Sequence, residues 1–517
     1  MTIREQLATR VRGRGIVADV LVIAGATALC RVFGLVRDVV IANRFGASAA
    51  YDAYLVAFFV PNMLRQLLGE GALSTAFVPI YTGYLARDRA EADRFASATL
   101  SLALLLFPLI IGLGLWLTPG YLPFLASGFG PEKLRLAVAL TRITLPFIGL
   151  VGLAAILMGI LNGQRRFLAP ALAPVLFDLG LIVGAWPLAA HLAQSTYGLA
   201  LGVLLGGLGM LLFQLAFLRG KLRFSFKLTL RHEGLSQLGR MMLPAVLGLA
   251  GVQVSLMVDN KLASHLGDGA ISSLQYAIRL FQLPLGVFAI SIANALLPRL
   301  SHRATLQDVE GLRETLQRGI LLGAFILLPA TAGLYAIGRP TIQLLFEHGR
   351  FLPEDTARTL AALNFYLIGL AAYGLVYLLT RGFYALRDTK TPVLTGLVGV
   401  ALNVMLDYAL YRPLGVSGLA LATSLGGLVN MALLAWALER RLGQRLIAPL
   451  AGELGKMALG AGLMGALAFL FYHELAFFLQ SRLLLVALPT LLGLLSYYLF
   501  SRLGGFFRVL RASGAGD

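Results

Sequence analysis

Apolar runs of about 20 residues recur from one end of this chain to the other, and each is long enough to cross a bilayer as a helix. In lipid every backbone N–H and C=O must be satisfied inside the protein, so such runs leave a helical bundle as the fold. A β-barrel is excluded, because its segments would be shorter and would alternate polar with apolar residues. Of the 517 residues 58% are hydrophobic and only 13% charged, where a soluble domain carries about a quarter. The sequence reads as an all-α polytopic membrane protein. Fourteen spans are expected, at about 17–43, 50–84, 96–118, 135–160, 168–190, 197–218, 241–264, 270–298, 316–337, 358–381, 391–411, 415–438, 452–473 and 482–503.

The net charge of +18 would suggest nucleic acid in a soluble protein. Here the basic residues sit in alternate short loops, about 29 Lys and Arg on one side against about 9 on the other, which is the positive-inside pattern. It predicts both termini in the cytoplasm and no nucleic-acid partner. Residues 1–15 are basic, and the apolar run after them is too long and too Arg-rich for a cleaved signal peptide. The single cysteine, Cys30, excludes an intrachain disulfide and a Cys-based metal cluster.

The chain repeats itself. FGASAAYDAYLVAFFVPNML is echoed about 222 residues later by LGDGAISSLQYAIRLFQLPLGVF, so that Pro61 matches Pro284. ILNGQRRFLAPAL is echoed by FYALRDTKTPVL, which sets Arg165 against Arg387 and Pro170 against Pro392. The expected organisation is two pseudo-symmetric six-helix lobes, residues 1–227 and 228–445, followed by two C-terminal spans in 446–517.

Within the first hairpin, otherwise apolar, stand Arg31, Arg37, Asp38, Asp52, Arg65 and Glu70. An arginine at mid-membrane costs about 2.5–3.5 kcal/mol on insertion scales. At 1.5 Å rise per residue, Arg31, Arg65 and Arg279 lie about 18, 20 and 14 Å in from the outer ends of spans 1, 2 and 8. Two readings stand. These groups are buried ion pairs that hold helices together, or they line a cationic cavity whose guanidinium forks take a diphosphate. A second polar group comprises Asp259 on span 7, Asn403 and Asp407 one helical turn apart on span 11, and Thr423 on span 12. Its oxygens suit Na+ or a proton relay, and equally interhelical hydrogen bonds. Asp178, within span 5, has no assigned role. No P-loop, dinucleotide fingerprint, HExxH or Ser-His-Asp pattern occurs, which speaks against an ATPase and against an enzyme of those classes.

CRVFGLVRD, YDAYLVAFFVPNMLRQLLGEGALSTAFVPI, YAIRLFQLP and GFYALRDTKTPV resemble the MurJ/MviN family of lipid II flippases, within the multidrug/oligosaccharidyl-lipid/polysaccharide exporter superfamily. The resemblance covers essentially the whole chain, including the two extra C-terminal spans. It implies a transporter of the bacterial cytoplasmic membrane that moves undecaprenyl-diphosphate-linked disaccharide-pentapeptide from the inner to the outer leaflet. It implies Arg31, Arg37, Arg65 and Arg279 as essential arginines, with Asp52 and Glu70 in the same motif and Asp38 by adjacency. It implies a sodium site in some relatives at residues similar to Asp259, Asn403, Asp407 and Thr423. Two positions depart from the pattern of some relatives: Gln66 replaces a second arginine, and Ile278 replaces an acid before Arg279.

The expected mechanism is alternating access. Arg31, Arg65 and Arg279 take the diphosphate, Arg37, Asp38 and Asp52 form an outer gate region, and the lipid tail stays in a groove along spans 13 and 14. No cofactor is required; Na+ or the membrane potential resets the cycle. Expected partners are lipid II, membrane lipids and proteins of cell-wall synthesis. The alternatives are a flippase for another polyprenyl-diphosphate oligosaccharide, a multidrug or cation exporter of the same superfamily, and a non-transporting scaffold.

Overall fold

The computed structural model describes residues 25–67, 72–220, 222–226 and 232–504. All regular structure among them is helical. Glu70, one of the expected site residues, lies outside the described residues. The chain divides between Gln253 and Val254 into two compact units. Ten helices are long and apolar enough to cross a membrane, or eleven if one bent pair counts as a single span, among the described residues. Large apolar side chains such as Leu109, Trp116, Leu459 and Phe477 are left exposed on them, as a lipid-facing surface requires.

The first unit contains α1 (25–45), α2 (Ala49–Arg65), α3 (Ala72–Arg87), α4 (Arg89–Leu125), α5 (Pro131–Thr144), α6 (Phe147–Gly163), α7 (Leu168–Val183), the short α8 (Ala189–His191) and α9 (Ser195–Leu218). The division falls inside α10 (Glu233–Ala263). The core of this unit is aromatic, with Phe77 stacked on Phe95 at 5.1 Å and on Tyr81 at 5.6 Å. These rings lie on glycine backbone: a Cβ at Gly159 would come within 2.6 Å of Phe77, and one at Gly163 within 2.6 Å of Tyr81. The buried Tyr81 hydroxyl accepts a hydrogen bond from Gln164, so its polar end is satisfied.

The second unit continues with α11 (Ala270–Pro284), α12 (Ile290–Thr305), α13 (Val309–Leu345), α14 (Pro353–Ile368), α15 (Leu370–Ala385), α16 (Lys390–Leu414), α17 (Val416–Leu442), α18 (Ala451–Phe478) and α19 (Arg482–Leu503). Leu316, Leu379, Phe383, Leu434 and Leu438 make its main core. Helices α18 and α19 pack against α13, through Met464, Tyr497, Phe325 and Ala332. Arg482 reinforces this by donating to the Glu347 carbonyl and carboxylate.

Breaks in the helices have chemical causes. Pro284 cannot donate to the ladder, and a π-helical turn, Leu285–Ala289, follows it. Helices α14 and α15 meet at Gly369 with a 43° bend. The Ser424 hydroxyl donates to Phe365 O and Tyr366 O there, so carbonyls near the break keep a partner.

The internal repeat is visible in the backbone of each unit. Arg165 and Arg387 both adopt left-handed φ, 59° and 58°, and each ends a helix with a six-residue return bond, Arg166 N to Leu161 O and Asp388 N to Phe383 O, both 2.9 Å. Asp88 caps α4 and Asp308 caps α13 at equivalent places. The most extensive helix contact of each unit is also equivalent, α7 on α9 and α16 on α17. Glycine permits both. A Cβ on Gly180 would lie 2.3 Å from Gly206 Cα, and one on Gly426 would lie 2.8 Å from Gly399 O.

Candidate functional site

Helix α1 presents a heptad stripe to the fifth span. Cys30 Sγ donates to Ala171 O at 3.5 Å, and Arg37 Nη1 donates to Asp178 Oδ1 at 2.6 Å, both across 141 residues of sequence. One heptad on, Arg44 Nη2 donates to Ala189 O at 3.3 Å. The first two contacts share one separation, which means that α1 and α7 run parallel and in register. Arg37 also gives Nε and Nη2 to Asp38 Oδ1, at 2.9 and 2.7 Å. Its guanidinium is thus held by two carboxylates in a half-buried to buried setting, with Asp178 only 6% exposed.

Arg31 is off this stripe. It is exposed and makes no ion pair among the described residues. Arg65, in the last turn of α2, is half-buried, and its Nε donates to Asn62 Oδ1 at 3.0 Å. Gln66 accepts from Gln253 at 2.9 Å. Asp52, in the first turn of α2, is fully buried and meets Lys133 Nζ of α5 at 2.9 Å. Arg279 is half-buried on α11, a helix anchored by Tyr276 against Phe346 and by Phe281 against Tyr366.

The structure thus joins Arg37 to Asp38, and it adds two partners that the sequence reading did not supply, Asp178 and Lys133. An acid in mid-span was visible for Asp178. Lys133 was hidden among the charges that open span 4.

In the second unit the polar residues of α10 and α16 meet. Ser255 Oγ donates to Asn403 Oδ1. Asp259 and Asp407 follow one turn further along their helices with carboxyl groups facing each other. Two paired positions at the same sequence separation again indicate parallel helices in register. Asp407 is fully buried, and both its oxygens, with Asp259 Oδ1, lack a hydrogen-bond donor. Thr423 donates to Leu419 O, and the Tyr373 hydroxyl donates to Thr423 O at 3.4 Å. Two facing carboxylates with donorless oxygens call for a cation or a shared proton, and the all-oxygen donor set fits a hard cation such as Na+.

A cavity of about 830 Å³ opens on α13, α14 and α18. Ala461, Gly465 and Phe469 give it apolar walls, and Arg339, Asn364 and His473 supply its polar groups.

A sequence profile of the lipid II flippase MurJ family matches residues 41–502. The probable lipid II flippase MurJ of Vibrio cholerae is 37% identical over 425 residues, 80% of this chain and 81% of that protein. The probable lipid II flippase MurJ of Thermotoga maritima is 33% identical and covers 92% of this chain and 94% of its own length. A solved lipid II flippase MurJ in an inward closed conformation superposes with a TM-score of 0.81 at 28% identity, over 95% of this chain and all of that one. An inward-facing multidrug MATE transporter shares the fold alone, with a TM-score of 0.70 at 20% identity over 82% of this chain and 98% of its own. The profile match over most of the length and relatives above 30% identity across four-fifths of the chain place this protein in the lipid II flippase MurJ family.

Proposed function

We propose that this protein flips lipid II, the undecaprenyl-diphosphate-linked peptidoglycan precursor, from the inner to the outer leaflet of the bacterial cytoplasmic membrane by alternating access. The carrying observation is the contrast between two arginines on one helix. Arg37 is neutralised by Asp38 and Asp178, whereas Arg31, six residues earlier, is exposed and has no ion pair among the described residues. An unpaired arginine within an apolar helix costs about 2.5–3.5 kcal/mol, which an anionic headgroup would offset. Arg31, Arg65 and Arg279 take the diphosphate through charge-assisted hydrogen bonds. The reading is that of a transporter, with chemistry limited to binding and release.

Fourteen spans fit this reading. The eleven apolar spans are joined by α1, by α2 with α3, and by α10. The basic loops on alternate sides put both termini in the cytoplasm. The lobes are residues 1–227 and 228–445, with 446–517 beside the groove that keeps the polyprenyl tail in lipid. No cofactor is needed for translocation. Asp259, Asn403, Asp407 and Thr423 would hold Na+, which would supply a charge that compensates the paired carboxylates.

The test is complementation. Arg31→Ala, Arg65→Ala and Arg279→Ala are expected to leave the protein in the membrane at normal abundance and to abolish growth of cells depleted of their own flippase. Growth supported by all three single variants would reject the anion site. A multidrug exporter would tolerate them as well, and it would export organic cations without exposing lipid II at the outer leaflet.

A further inference from the structure

We infer that Asp178 is a positioning residue of the transport cycle: its carboxylate holds Arg37, and with it α1, on α7 until the diphosphate headgroup displaces it. This rests on the flippase reading for its ligand, and on the first unit alone for its geometry.

Asp178 lies 10 residues into α7, about 15 Å along the helix and so near the middle of a 30 Å hydrocarbon core. A carboxylate at that depth persists only when it is paired, and Arg37 Nη1 meets it at 2.6 Å. The approach is built from both sides. Gly34, on the same face of α1, carries no side chain, and a Cβ there would lie 3.7 Å from Asp178 Oδ2. Gly180, two residues after Asp178, puts α7 against the backbone of Gly206, so the carboxylate is mounted on a tightly packed helix pair.

The Arg37 fork is fully engaged by Asp38 and Asp178, yet only Asp178 comes from another helix. Breaking that bond removes the ion pair between α1 and α7 and leaves the weak Cys30 Sγ contact to Ala171 O, while Arg37 keeps Asp38. A phosphate oxygen of a headgroup passing outward from Arg31 to Arg37, about 9 Å further along α1, offers Arg37 the same charge and acceptor geometry as Asp178. Headgroup and carboxylate cannot both take Nη1, so arrival of the anion and release of α1 are one exchange.

The natural sequence carries its own reporter. Cys30 is the only cysteine, and its Sγ touches Ala171 one heptad from the pair. The full-length protein in liposomes is treated with N-ethylmaleimide, with undecaprenyl diphosphate or uncharged undecaprenol added. Wild type should react slowly, and undecaprenyl diphosphate but not undecaprenol should accelerate it by about tenfold, the worth of one charge-assisted hydrogen bond. Asp178→Asn should react fast without lipid and respond no further, and Asp178→Glu should return the slow, lipid-sensitive rate. In flipping assays Asp178→Asn should lower the half-saturating lipid II concentration and the maximal rate together, which loss of folded protein would not do. Arg37→Lys keeps the charge but not the fork, and should give an intermediate labelling rate if Asp178→Asn does not accumulate. A Cys30 rate within about twofold of wild type in Asp178→Asn or in Arg37→Lys would overturn the inference. Fast Asp178→Asn with no lipid response in wild type would uphold the clamp, overturn its displacement by the headgroup, and count against the anion-binding reading separately.

Discussion

Lys133 Nζ sits 2.9 Å from Asp52 Oδ2 and 4.2 Å above the Phe129 ring, and the carboxyl it meets is wholly buried. The pair ties α5 to the start of α2. Removing one member of a buried pair strands the other charge, at about 3–5 kcal/mol. Lys133→Met should therefore destabilise the protein by about that amount in thermal unfolding in detergent, and Lys133→Met with Asp52→Asn should recover much of it. Equal stability of Lys133→Met and wild type would show that the contact contributes nothing.

Glycine substitutions should divide by what the new Cβ meets. Gly180→Ala drives a methyl to 2.3 Å from Gly206 Cα, backbone that cannot step aside, and should cost about 1–3 kcal/mol or more. Gly112→Ala, inside α4 with nothing within 4 Å, should be neutral or stabilise by up to about 1 kcal/mol through helix propensity. Melting curves of the two variants moving in the same direction would contradict the close packing of α7 on α9.

The acid pair of the second unit gives an ion-specific prediction. If Na+ sits at Asp259 and Asp407, replacing choline by Na+ at constant ionic strength should raise the melting temperature. At a concentration 100 times Kd the gain is about 2.7 kcal/mol. Asp407→Asn should abolish the difference between the two salts. Identical melting of wild type in both would leave a shared proton as the account of the facing carboxyls.

Acid sensitivity is expected at the start of α16. Asp388 accepts from the backbone N–H groups of Lys390 and Thr391 and from the Thr391 hydroxyl, and Arg441 lies at 2.8 Å. The bond from the Thr391 N–H, foremost, holds its carboxyl below the usual carboxylate range. A depressed folded pKa contributes stability above the unfolded value and loses it as pH falls through the folded one. Asp388→Asn should thus lose stability at pH 7, by about 0.5–2 kcal/mol as for a lost helix cap, and show a flatter decline on acidification below pH 4. A variant that melts like wild type at pH 7 would contradict the capping role.

Much of the fold could be read from the sequence because lipid leaves few options for an apolar run. The repeat was legible where a residue type is forced, as at Pro61 and Pro284, and the structure extends it to Gly180 with Gly206 and Gly399 with Gly426. Side-chain pairing was harder to see. Asp38 can be matched to Arg37 by adjacency, but Asp178 and Ser255 meet their partners through the register of two helices, which periodicity along one helix does not contain. The same limit separates Arg31 from Arg37: they look alike in the sequence, and the turn of about 120° that separates them around α1 gives one an ion pair and leaves the other exposed.

The glycine contacts between α7 and α9 leave those helices no lubricating layer of side chains. Neither can slip along the other by a fraction of a turn, because peptide planes, rather than pliable chains, stand in the way. The pair must tilt as a single strut, and α16 with α17 is bound by the same restriction. Whatever shape change carries a headgroup across the membrane has to be absorbed at looser places, such as the π-turn after Pro284 and the bend at Gly369.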